Sequence, residues 1–197
     1  GHETLFSTIL GEELEFDPDD IRIVHADSLN GPPTRSPVAS RMAIMLGSAA
    51  AGAAQKIKER AMKIAAFNLD HPVEDLEYSE GNVFVRGDPG QKLTWQEICF
   101  IAHRSYHKLP DEMDPGFHAE YVFQVPGGGK LPDEKNRVQI YPCFSFQAHI
   151  PYVEIDPGTC KVEILDYVVG HDCGTVINPD IVRGMMIGGI AHGIGAA

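Results

Sequence analysis

The sequence has little of what a metal cluster, a disulfide scaffold or a nucleic-acid binder requires. Its four cysteines, Cys99, Cys143, Cys160 and Cys173, form no Cys-x-x-Cys pair, so zinc and iron–sulfur spacings are missing. Four cysteines in 197 residues are too few for a disulfide framework; they fit a reducing compartment, and a cytoplasmic location is expected. Positive charge is scarce: 16 Lys and Arg stand against 28 Asp and Glu, a formal net charge of −12. Nucleic acid demands a basic footprint and an anionic membrane surface attracts one, so neither is an expected partner. No apolar run approaches the ~20 residues of a membrane span, and no secretion-signal pattern opens the sequence. Rossmann and P-loop signatures are missing too. The acidic residues are scattered, as on a solvated surface.

What is present suits a globular protein. Hydrophobic residues make up 43% of the sequence, and a chain of this length can bury a sizeable core. It reads as one region over 1–197, or as two tight lobes of about 1–110 and 111–197. Apolar residues recur at helical steps over residues 3–14. Asp17-Pro18-Asp19-Asp20 makes a short capped turn, and residues 21–25 read as a strand. A loop rich in Gly, Pro, Ser and Thr covers 28–37. Residues 38–68 form a long helix whose middle is nearly all alanine and glycine. Residues 76–78 and 82–86 form a hairpin around Glu80-Gly81. Thr94-Trp95-Gln96-Glu97 is a capping box opening a helix to about Tyr106. Residues 109–116 are loop, 119–125 read as a strand, and Pro126-Gly127-Gly128-Gly129 is a flexible turn. Strands follow over 143–155 and 161–169, joined by the turn Asp156-Pro157-Gly158-Thr159. Helices and strands alternate irregularly, so the expected class is α+β.

The end of the chain carries the strongest signal. Asp172-Cys173-Gly174-Thr175-Val176-Ile177-Asn178-Pro179 is followed by Gly184, Gly188, Gly189, Gly193 and Gly195. Asn178 is a good N-cap and Pro179 suits the first helical position. Glycine inside a helix costs about 1 kcal/mol relative to alanine, so five of them need a reason. Close approach of a ligand and tight helix–helix packing are equally good reasons on spacing alone. Asp172 is a possible carboxylate base, but an Asp at this place more often satisfies the backbone of its own turn. His149, His171 and His192 match no metal-ligand spacing. The loop 34–41, at a helix start, suits an anion; an ordinary N-cap at Ser36 explains it as well.

The string Asp-Cys-Gly-x-x-Ile-Asn-Pro, then Gly-x-x-x-Gly-Gly-x-x-x-Gly-Ile-Gly, resembles the molybdenum-cofactor subunit of the xanthine dehydrogenase, aldehyde oxidase and carbon monoxide dehydrogenase large-chain family. The resemblance is strongest at 159–197, weaker at 1–66 and faint at 70–140. It implies a molybdenum-cofactor-binding domain with mixed sheets and packed helices. It also implies contacts to molybdopterin from Gly1 and His2, from Ala39, Ser40 and Arg41, and from Met185, Gly188, Gly189 and His192. Two of these depart from the family: Met185 and His192 stand where glutamine is usual, and a thioether cannot donate a hydrogen bond as an amide does. Met42 stands where serine or threonine is common. The implied chemistry is oxidative hydroxylation of an aldehyde, a heteroaromatic ring or a related small molecule with water, or oxidation of carbon monoxide. Electrons then leave through [2Fe-2S] clusters to FAD on partner subunits or domains. The family's base is a glutamate in Gly-x-Gly-Glu, a motif this chain lacks, so no catalytic base and no metal ligand is assigned in it. Both ends read as the interior of a longer polypeptide, and the chain by itself is expected to hold no cofactor and to be inactive. The competing reading is a non-enzymatic assembly domain of a multi-subunit complex. A hydrolase using Asp172 and a histidine finds no support in the spacing.

Overall fold

The computed structural model describes residues 1–25, 27–29, 31, 40–128, 131–138 and 143–196. The chain divides into two compact units, Gly1–Gln124 and Val125–Ala197.

The first unit is built on helices. α1 (His2–Leu14) ends where Glu15 turns left-handed at φ 56° and its N–H caps the Gly11 carbonyl. A wide helical turn, Ala43–Gly47, leads into α2 (Ser48–Leu69). Ser40 has φ 50°, a conformation that no right-handed helix accommodates. The long helix expected from residue 38 therefore begins only after it. Three short strands follow, β1 (Leu76–Ser79), β2 (Asn82–Val85) and β3 (Asp88–Leu93). They form one antiparallel sheet in that order, with Leu76 opposite Val85 and Val83 opposite Leu93. α3 (Trp95–Arg104) starts on the expected capping box: the Glu97 N–H donates to Thr94 Oγ1 at 3.3 Å, and Glu97 Oε2 accepts from the Thr94 N–H at 2.8 Å.

The core lies between the second half of α2, the sheet and α3. Ala61, Ile64, Ala65, Val83, Ile98 and Ala102 are wholly inaccessible, and Leu76, Val85, Ile101 and Leu109 close the cluster. Alanine at 61 and 65 lets α2 approach the sheet closely, while Ile64 fills the gap between them. At the other end Trp95 meets Phe16 and Phe117 edge-on, both with ring centroids 5.0 Å away. Phe16 lies on Gly81, whose φ of 74° and missing Cβ permit that approach.

Two expected strands are missing. Residues 21–25 take no regular structure; no ladder partner among the described residues reaches them, and the His25 ring instead meets Glu3, Nε2 to Oε1 at 3.1 Å. Residues 119–125 form no strand either; the Glu120 carbonyl accepts from Lys56 Nζ at 2.8 Å.

The second unit is a long hairpin and a helix. β4 (Phe146–Ile155) and β5 (Val162–Asp172) pair antiparallel, with Phe146 opposite Asp172 and Ile155 opposite Val162. The Asp156 turn closes the hairpin, and its carboxylate accepts the Gly158 N–H at 2.9 Å and the Thr159 hydroxyl at 2.6 Å. α4 (Pro179–Ala196) has no buried residue, and neither strand has one.

Candidate functional site

At the start of the first unit, the Gly1 carbonyl accepts the Leu5 N–H at 3.0 Å and so opens α1. The half-buried His2 ring stacks on Phe6 with centroids 6.4 Å apart and meets the His25 ring edge-on at 6.5 Å. α1 rests on the turn Ala43–Gly47 and on α2. Gly47 makes this possible, since a Cβ there would come within 2.9 Å of Ile9 Cδ1. The same turn follows directly on Ser40 and Arg41, whose carbonyl accepts the Met45 N–H at 2.8 Å. The fold thus places Gly1, His2, Ser40 and Arg41 in one unit, at the starts of two packed helical segments. Ala39, the proposed cap Ser36 and the rest of the loop 32–39 lie outside the described residues.

In the second unit the turn before α4 forms as its side chains dictate. Asp172 Oδ1 accepts the Gly174 N–H at 2.9 Å, which makes this carboxylate a turn former, as its sequence context favours. Gly174 has φ 75°, open to glycine at little cost. Asn178 caps the helix, its side-chain oxygen accepting the Ile181 N–H at 3.0 Å and its carbonyl accepting the Val182 N–H at 3.1 Å. Pro179 occupies the first helical position, where its missing N–H costs nothing.

Met185, Gly188, Gly189 and His192 follow steps of three, one and three residues, so the helix sets them on one face. That face is bare. Met185 is 67% exposed, and Gly188, Gly189 and His192 are exposed. A Cβ added at Gly184, Gly188, Gly189, Gly193 or Gly195 would meet nothing within 4 Å. The glycines of α4 are therefore not explained by packing against any described part of the second unit. Gly52 in α2 is the opposite case, for a Cβ there would collide with the Tyr121 ring.

A polar cluster on the hairpin is one that the sequence did not suggest. His149 Nε2 lies 2.9 Å from Gln147 Oε1, and its Nδ1 lies 3.2 Å from the Tyr167 hydroxyl. An Nε2–H tautomer with the tyrosine donating satisfies both contacts. His171, opposite Gln147, has an inaccessible Nδ1 with no hydrogen-bond partner. Only the register reveals this grouping, because Gln147 and His149 on β4 lie 18 to 24 positions from Tyr167 and His171 on β5. Among the described residues, no three His, Cys, Asp or Glu side chains gather as a metal site.

Elsewhere the shifted groups are structural. The Glu80 N–H and the Lys58 ammonium hold the Glu15 carboxyl below its ordinary range. Burial, with the Glu15 charge, pushes the Tyr78 phenol up to about 12. Burial also raises the Cys99 thiol.

A family model described as the molybdopterin cofactor-binding domain matches residues 1–197. The carbon monoxide dehydrogenase large chain of Hydrogenophaga pseudoflava is 30% identical over 197 residues, 100% of this chain and 22% of that protein. Subunit gamma of the 6-hydroxypseudooxynicotine dehydrogenase complex of Paenarthrobacter nicotinovorans is 32% identical over 197 residues, 100% of this chain and 23% of that protein. Among solved structures, quinoline 2-oxidoreductase from Pseudomonas putida 86 superposes with a TM-score of 0.80 at 28% identity, over 99% of this chain and 23% of that one. The chain thus spans under a quarter of the length of these relatives.

Proposed function

The chain belongs to the molybdopterin cofactor-binding domain family, and from that premise we propose that it works as one cofactor-holding segment of a molybdenum hydroxylase large subunit. The observation that carries the reading is the α4 face of Met185, Gly188, Gly189 and His192, helical, exposed and free of steric conflict. Such a face leaves room for a flat or branched group to lie against the backbone. The donor types in the proposed set suit a phosphate-bearing pterin: the Ser40 hydroxyl, the Arg41 guanidinium, and the imidazoles of His2 and His192. Gly1 adds backbone at the start of α1. Ala39 completes the proposed set on the resemblance alone. These residues fit the group in chemistry. Met185 is the exception, contributing contact area in place of an amide hydrogen bond.

When bound, the cofactor supplies the redox chemistry for hydroxylating an aldehyde, a heteroaromatic ring or a related small molecule, or for oxidising carbon monoxide. The chain's own part is to hold, orient and seal it. FAD and [2Fe-2S] centres on partner subunits or domains would take the electrons, and the compartment would be the cytoplasm. Among the described residues, no helix is long and apolar enough to cross a membrane.

One observation favours the second reading, a non-enzymatic assembly domain. The hairpin exposes Phe146, Ile150 and Tyr152 at 71%, 65% and 68%, and exposed apolar patches mark interaction surfaces. Cofactor extraction from the full-length parent separates the two. The hydroxylase reading expects molybdenum by elemental analysis and a fluorescent oxidised pterin; their absence leaves the assembly reading standing. In that parent, Ser40→Tyr is expected to lower molybdenum content without lowering the melting temperature. Unchanged molybdenum in that variant removes Ser40 from the site.

A further inference from the structure

The middle of α2 and the loop 113–120 enclose an open notch of about 410 Å³ in the first unit. It shares no residue with the cofactor face proposed above. Three cations line it, Lys56, Arg60 and Lys63, spaced four and three apart and so on one side of the helix. Two are fixed in place by main-chain carbonyls. Lys56 Nζ donates to Glu120 O at 2.8 Å, and Arg60 donates from Nε to Gly116 O at 3.0 Å and from Nη2 to Asp114 O. Neutral carbonyls leave the charge uncompensated. Among the described residues, the ion pairs are His25–Glu3, Lys58–Glu15, Arg86–Glu77 and Arg137–Asp133, so none of the notch cations has a carboxylate partner. Lys63 and His118 lack any hydrogen-bond or ion-pair partner among the described residues.

Unpaired positive charge in a concavity stands out in a chain of net charge −12. A concave cationic surface concentrates field lines and draws anions. Two carboxylates, Glu59 and Glu120, share the lining against three cations. Their repulsion excludes a polyanion such as nucleic acid and leaves room for one small anionic group.

We propose that this notch binds a small anion, a phosphate or carboxylate group, between Lys56, Lys63 and His118. Lys56 is preorganised by its carbonyl bond, while Lys63 and His118 have donors to spare.

The test is a titration of the chain with inorganic phosphate, and separately with acetate, at constant ionic strength set by sodium chloride. The readout is the nuclear magnetic resonance signals of His118 and of residues 113–120. A saturable shift with a dissociation constant of about 1 mM is expected. A response to phosphate identifies a phosphoryl ligand, and a response to acetate a carboxylate. Lys63→Ala, a change at an exposed position that leaves the Arg60 ties intact, is expected to weaken binding about tenfold with an unchanged melting temperature. Arg104→Ala, at an exposed position outside the lining of the notch, is expected to bind as the unaltered chain does. The proposal is overturned if neither anion gives a saturable shift, or if Lys63→Ala together with His118→Ala binds as tightly as the unaltered chain.

Discussion

Replacing Gly188 and Gly189 together by alanine should stabilise α4 in this chain and impair the parent protein. Neither new methyl group meets any heavy atom within 4 Å, so the steric cost is nil and helix propensity decides the sign. Glycine is about 0.8–1 kcal/mol less favourable than alanine at each interior helical position, so the pair gains about 1.5–2 kcal/mol. That corresponds to slower hydrogen exchange over residues 179–196 by roughly tenfold or more. The assay is exchange read by mass spectrometry on the peptide covering α4. In the cofactor-loaded parent the same methyl groups would stand where the pterin approaches, so molybdenum content should fall. Faster exchange in the chain would show that the glycines serve internal packing. Slower exchange with undiminished molybdenum in the parent would refute the cofactor-facing assignment while leaving the helix argument intact.

Other outcomes follow from the first unit. Ile98→Ala removes a wholly buried side chain from the contact of α3 with α2 and the sheet and should cost about 2–5 kcal/mol in denaturant unfolding. Gly52→Ala drives a methyl group into the Tyr121 ring and should cost about 1–3 kcal/mol; unchanged stability there would mean that residues 113–121 lift off α2 freely. Tyr78, whose hydroxyl donates to the Leu14 carbonyl at 2.8 Å, has its folded-state value raised from 10.0 to about 12. Its contribution is therefore complete below pH 10 and lost as pH rises towards 12. Tyr78→Phe should flatten that alkaline limb of a melting-temperature profile.

Local chemistry was legible and long-range pairing was not. Thr94 and Glu97, Asn178 and Pro179, and Asp156 with Gly158 each carry their partner within three residues, so capping and turn rules placed them. α1 is found within a residue of its expected bounds, at His2–Leu14. β3 was not among the expected elements, and its Pro89 and Gly90 are poor strand formers. It forms because it is the outer strand of the sheet, where a missing N–H is tolerated, and its register with β2 shifts at Phe84 and Val85. The strands expected at 21–25 and 119–125 have suitable residues but no ladder partner among the described residues, and β-propensity is largely a measure of such neighbours. The α4 face was legible as spacing. The openness of that face, which argues against packing, needed coordinates. The notch residues Lys63 and His118 are 55 positions apart, and nothing in the sequence joins them.

The two units differ in what holds them. The first has a core of ten buried residues drawn from helices and sheet. The second has none among its described residues: its ribbon carries Phe146, Ile150, Val168 and Ile164 in the open, and a two-stranded hairpin is marginal in water without a covering layer. Backbone bonds, the Asp156 turn and the Asn178 cap define the shape of this unit, but they do not bury the apolar area that folding requires. Its stability must then be coupled to whatever covers it. Under the proposed function, the cofactor and the remaining chain of a large subunit provide that cover, and the glycine face of α4 is open because its occupant is not polypeptide of this unit. This coupling has a measurable consequence in the parent. Removal of the cofactor should speed hydrogen exchange in residues 146–196 far more than in the self-supporting core around Ile64 and Ile98, whereas uniform loosening of both regions would show that the second unit does not depend on the cofactor for its order.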